Sequence, residues 1–148
     1  MRLASHNIHR HNTQLPENHM NKVHNPAAIA APIGVYSHGI EVPPNARWLY
    51  IAGQVAVKQD GTVPPSIEEQ SDLVWQNILA ILADAGMAMT DVVKVNVYIT
   101  RTENVPKFGA VRAKYLGSHR PASTLVVISA LAKPEFLVEV EAVAAKAA

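Results

Sequence analysis

The sequence contains no cysteine, which excludes disulfides, thiolate nucleophiles and cysteine-based zinc sites and leaves the redox compartment open. Charge of either sign is scarce. Only 17% of the 148 residues are Asp, Glu, Lys or Arg, below the roughly 25% usual for a globular domain. A chain that hides part of its surface in an obligate oligomer would show such a shortage. The net charge is +1 and no basic block occurs, so nothing points to a nucleic-acid partner. No apolar run is long enough to span a bilayer. The Gly-rich phosphate loop, the serine elbow and the His-x-x-x-His pair are all missing, and neither a cofactor nor a metal is expected. The N-terminus lacks the apolar core of a secretory signal, which makes the cytoplasm the expected compartment.

Apolar residues are plentiful by contrast. At 49% of the chain they suffice for one core in one domain of this length. Residues 1–26 are polar, rich in His and Asn and without periodicity, and read as a flexible tail ahead of a domain at 27–148. His6, His9 and His11 lie in that tail. A His-rich tract is only a compositional signal for metal, and no carboxylate is fixed nearby. Met20 is a candidate for the original start, with the residues before it an upstream extension.

Two strand-like runs, 33–42 (IGVYSHGIEV) and 48–57 (WLYIAGQVAV), flank Pro43-Pro44-Asn45-Ala46 and predict a hairpin. Tyr36 and His38 would share one face. Gly53 interrupts the second run, where glycine marks a bulge or a close backbone approach. Ser66 followed by Glu69 fits a capping box. Ile67, Val74, Ile78, Ile81, Leu82 and Ala85 then recur at helical spacing, widened by Trp75 and Leu79, and Gly86 stops the helix. Residues 91–100 (DVVKVNVYIT) alternate as a strand, with Lys94, Asn96 and Tyr98 on one face. A shorter helix spans about 105–116, burying Phe108, Val111 and Tyr115 and stopped by Gly117.

The last part, HRPASTLVVISALAKPEFLVEVEAVAA, holds two strand-like runs at 123–131 and 136–143. In the second, Val138, Val140 and Ala142 point one way, and Leu137, Glu139, Glu141 and Val143 the other. The two glutamates lie either on a solvated sheet face or, flanked by apolar neighbours, at a subunit junction where one could act as a general base. The order is β-β-α-β-α-β-β, an α+β domain with two helices on one face of a mixed sheet.

The motifs GVYSHG, IAGQV, DVVKVNVYIT, HRPASTLVVISAL and VEVEAVA, in that order, resemble the Rid family, the YjgF/YER057c/UK114 proteins. The resemblance covers roughly residues 20–145. It implies a chorismate-mutase-like fold and a homotrimeric barrel with three small-molecule clefts between subunits. Well-known members deaminate reactive enamines and imines, gripping the substrate carboxylate with the arginine of a Pro-Ala-Arg motif. A planar guanidinium suits that task because it binds a carboxylate bidentately. Here the motif reads Pro121-Ala122-Ser123, and Arg120 sits on the other side of an extended chain. Gly109 stands where the family has asparagine, Leu125 where cysteine is common and His38 where glutamine is usual. Tyr36, Gly53 and Glu139 carry over, Glu139 as the residue that orients the attacking water. His38 is open to two readings, an acid–base group near neutral pH or an ordinary strand histidine. The implied function is therefore either deaminase-like hydrolysis with an altered substrate preference or small-metabolite binding without catalysis.

Overall fold

The computed structural model describes residues 21–148; the three tail histidines and Met20 lie outside them. Strand β1 (Lys22–His24) pairs antiparallel with β2 (Gly39–Glu41) in a small separate sheet. The main sheet comprises β3 (Arg47–Gln54), β4 (Val92–Ile99), β5 (Ala122–Val127) and β6 (Val138–Lys146) in the order β3-β6-β4-β5. Helices α1 (Ile67–Asp84) and α2 (Val105–Leu116) follow β3 and β4 in the chain. The sheet is mixed: β4 runs parallel to β5 and antiparallel to β6.

Two expectations at the N-terminal side change. The run at 33–42 does not form a hairpin with β3; only Gly39–Glu41 is strand, and its partner is β1. Prolines at 26, 32, 43 and 44 remove backbone donors on both flanks, so the segment cannot extend its ladder. The folded part accordingly begins before residue 27, because β1 lies within the expected tail. Three residues are too short to show a period, and their pairing is set by a segment seventeen positions away.

Helix α1 starts as its sequence requires. The Glu69 backbone N–H donates to Ser66 Oγ at 3.2 Å, and the Ser66 hydroxyl donates to Glu69 Oε2 at 2.8 Å. The glutamate thus takes the hydroxyl proton rather than reaching back to the Ser66 N–H. At the far end Gly86 adopts φ +67, and the N–H groups of Gly86 and Met87 donate to the Ala83 and Leu82 carbonyls, which closes the helix end. Trp75 is fully buried, stacked between Phe108 and Tyr115 of α2. Leu79, expected to widen the apolar stripe, is exposed.

The main sheet has two different faces. Ile51, Val95, Val97, Val138, Val140, Ala142 and Ala144 are buried in one core with residues of both helices. On the opposite face stand Tyr98, Glu139, Glu141 and Val143, only half buried, and the exposed Trp48 and Tyr50. Among the described residues no helix covers that side.

Candidate active site

Period-two alternation of β6 decides where its carboxylates go. Val138 and Val140 face the helices, so Glu139 and Glu141 must face the open side. Register then matches Glu139 with Tyr98 and Glu141 with Asn96 on β4. Glu141 is held by two donors, the Asn96 amide at 3.0 Å and the Tyr98 hydroxyl at 2.8 Å. The Tyr98 hydroxyl titrates above its ordinary value of 10.0, first because ionisation would lose the bond to Glu141, then through desolvation and the charges of Glu141 and Glu139. Among the described residues no side-chain donor reaches the Glu139 carboxylate.

Glu139 is instead positioned by an absence. A Cβ on Gly53 would overlap the Glu139 carboxylate and stand 2.8 Å from its Cδ. The β3–β6 register slips between Ile51 and Gln54, and glycine at this irregularity leaves the room that the glutamate occupies. The close backbone approach expected at Gly53 is thus an approach to Glu139.

Two of the other expected residues lie on the far side of the sheet. Ser123 and Leu125 of β5 match buried Val95 and Val97, so they face the helices, at the edge where β5 is only half covered. A bridge between Ser37 and Ala122, with the Ser37 N–H donating to the Pro121 carbonyl at 3.1 Å, ties Tyr36 and His38 to the start of β5. Tyr36 and His38 touch edge to face, with ring centroids 5.8 Å apart. The segment is not a regular strand, so this contact does not come from shared strand alternation. His38 Nε2 meets the Ala30 carbonyl at 2.8 Å. Gly109 on α2 faces open space, for an added Cβ would meet nothing within 4 Å.

Arg120 does not reach Ser123's place. Its Nη1 donates to the carbonyls of Gly117 and His119 at 2.7 and 3.0 Å, which binds it to the end of α2. Together with Tyr36, Ser37, His119 and Lys146 it lines a cavity of about 810 Å³ beside the β1–β2 sheet. Glu139 and Ser123 do not line that cavity. One chain therefore carries two separate groups of residues, Gly53 and Glu139 on the open face and Ser123 and Leu125 on the helix face, while the segment of Tyr36 and His38 is tied to the start of β5 through Ser37. Nothing in the sequence marks Asn96 and Tyr98 as site residues. Their shared face was visible, but not the register that sets them against the glutamates.

No group of three or more metal-ligating side chains occurs among the described residues, and none of their helices is long and apolar enough to cross a membrane.

The family model described as Endoribonuclease L-PSP matches residues 26–146. A RutC family protein of Pyrococcus abyssi is 38% identical over 117 residues, covering 78% of this chain and 89% of the relative. TdcF of Escherichia coli K12, described as a candidate reactive intermediate deaminase, is 28% identical over 120 residues, covering 78% of this chain and 90% of TdcF. Among solved structures, the Rid family protein YyfB of Yersinia pestis, of unknown function, superposes with a TM-score of 0.75 at 32% identity, over 84% of this chain and 97% of YyfB. Family model, relative and fold agree over the same stretch of sequence, and the chain belongs to the Rid family.

Proposed function

We propose that the protein is a homotrimeric hydrolase that deaminates small imines or enamines, with a preference shifted away from standard 2-imino acids, in clefts between subunits. The observation that carries this reading is the Glu139 carboxylate, lodged over Gly53 and free of side-chain donors among the described residues. A carboxylate so placed can accept a proton from water. As the water oxygen bonds to the imine carbon, the C=N π pair moves to nitrogen, which is protonated. The carbinolamine then collapses: the hydroxyl proton passes to the amino nitrogen, the carbonyl forms and the C–N bond breaks to release ammonia. Tyr36 fixes the ligand, and Ser123 with neighbouring backbone N–H groups stands where the family's guanidinium would be.

The split between the two sheet faces supports a site built from two copies, one supplying Glu139 and the other Ser123 and Tyr36. Trp48 and Tyr50, stacked at 6.5 Å and exposed on the open face, are the kind of surface that a second copy covers. The relative TdcF, a candidate deaminase, supports the chemistry. A cytoplasmic location and a small-molecule partner complete the proposal.

A second reading, a trimer that binds a small metabolite without turnover, is favoured by Ser123 itself. Semicarbazide trapping of imines generated in situ separates the two. Faster loss of a neutral imine with protein than with buffer supports the hydrolase. Ligand binding with no acceleration of any imine tested supports the binding trimer.

A further inference from the structure

The two flanks of α2 differ. Lys107 and Lys114 face Glu68 and Asp72 of α1, and the Tyr115 hydroxyl donates to Asp72 Oδ1. Gly109, Arg112 and Leu116, spaced three and four apart, share the opposite flank. This is the flank over the β5 edge, because α1 packs on β3 and β6 while Leu125 of β5 joins the same core as Phe108 and Leu116.

Arg112 on that flank is in an unusual state. Its guanidinium lies over the Phe108 ring, 5.8 Å from the centroid, and its Nε is buried without a hydrogen-bond partner. No carboxylate among the described residues pairs with it. Burial lowers its pKa from the usual arginine range, and the nearby charge of Arg120 lowers it further. Arg112 as a whole is only half buried, so an anion that arrives from outside meets its outer Nη donors rather than the enclosed Nε. The space for one is beside it, in the open volume at Gly109 one turn earlier.

We propose that Arg112 is the carboxylate-binding residue of the Ser123 half-site, and that the cleft takes an imine or enamine of an oxo acid whose carboxylate stands away from the reacting carbon. Ser123 leaves the strand side neutral, so a carboxylate directly on the imine carbon finds no partner there. One further along the ligand, on the α2 side, meets a guanidinium that presents paired donors. This inference rests on the proposed imine chemistry for its substrate class, but not for the anion site.

Isothermal titration of the full-length protein with 4-oxopentanoate, and with neutral pentan-2-one as control, tests the site without turnover. The wild type should bind 4-oxopentanoate more tightly than pentan-2-one. Arg112→Gln should weaken 4-oxopentanoate by about tenfold or more, the scale of losing a charge-assisted pair, and leave pentan-2-one unchanged. Arg112→Lys, which keeps the charge and guards against a folding artefact, should fall between them. Circular dichroism and sedimentation establish that each variant is folded and assembled. A folded Arg112→Gln that binds 4-oxopentanoate as the wild type does, or a wild type that does not prefer it over pentan-2-one, overturns the proposal. Semicarbazide trapping on the same samples reads the chemistry separately: binding that depends on Arg112 without hydrolysis would remove the hydrolase and leave the anion site standing.

Discussion

Gly53 and Glu139 occupy a single space: the side chain that Gly53 lacks is where the Glu139 carboxylate lies. The pair joins a strand irregularity on β3 to a strand position where a carboxylate, without side-chain donors among the described residues, faces the open side of the sheet.

Gly53→Ala should therefore act on the site before the fold. The added methyl forces the Glu139 side chain to another rotamer, with an overpacking cost of about 1–3 kcal/mol, and imine hydrolysis should drop with it. Urea denaturation and semicarbazide trapping measure the two effects. A variant with unchanged stability and unchanged turnover would mean that Glu139 does not depend on this space.

Tyrosine titration reads the Glu141 network. Tyr98 is raised by its bond to Glu141, and Tyr115 by burial and then by its bond to Asp72. Any stability that the Tyr98–Glu141 bond contributes is complete below the ordinary value of 10.0 and lost as pH rises through the raised one. Ultraviolet difference titration should show two tyrosines ionising late in the wild type. In Glu141→Gln one of the two should return towards the ordinary range; if both stay late, the hydrogen bond is not the cause.

Much of this was legible in the chain. Ser66, Glu69 and Gly86 announce α1 because caps are local chemistry, and Val138 through Val143 reveal the faces of β6 because strand alternation is local too. The division between Ser123 and Glu139 was not legible. It depends on which strand each residue pairs with, and pairing is fixed by partners far away in sequence. The same reason hid β1, three residues whose only mark is their register with β2, and Arg112, whose state depends on Phe108 below it and Arg120 beyond the helix end.

Assembly is tested by mass. The exposed aromatic pair on the open face and the division of the candidate site both call for further copies. Sedimentation equilibrium at micromolar concentration should give a mass near three chains. A clean monomer would leave no cleft for Glu139 and Ser123 to share.

Ser123→Arg restores the guanidinium that the family's motif carries. Losing such a pair from a desolvated site costs on the order of 2–5 kcal/mol. The substitution should therefore raise hydrolysis of 2-iminobutanoate from a low wild-type level, with Gly109 and Leu125 limiting the gain. Robust wild-type hydrolysis of that substrate would show that Ser123 is not a deficit.

If Glu139 of one copy works with Tyr36 and Ser123 of another, subunit mixing shows it most directly. Glu139→Gln and Tyr36→Ala should each be inactive alone on an imine that the wild type hydrolyses. Unfolded together in equal amounts and refolded, they form mixed trimers, in which about one site in four has both halves intact, as follows from random pairing across a heterologous interface. The predicted result is recovery of about a quarter of wild-type activity, absent when either variant is refolded alone. Mixed trimers that form and stay as inactive as their parents would contradict the composite site.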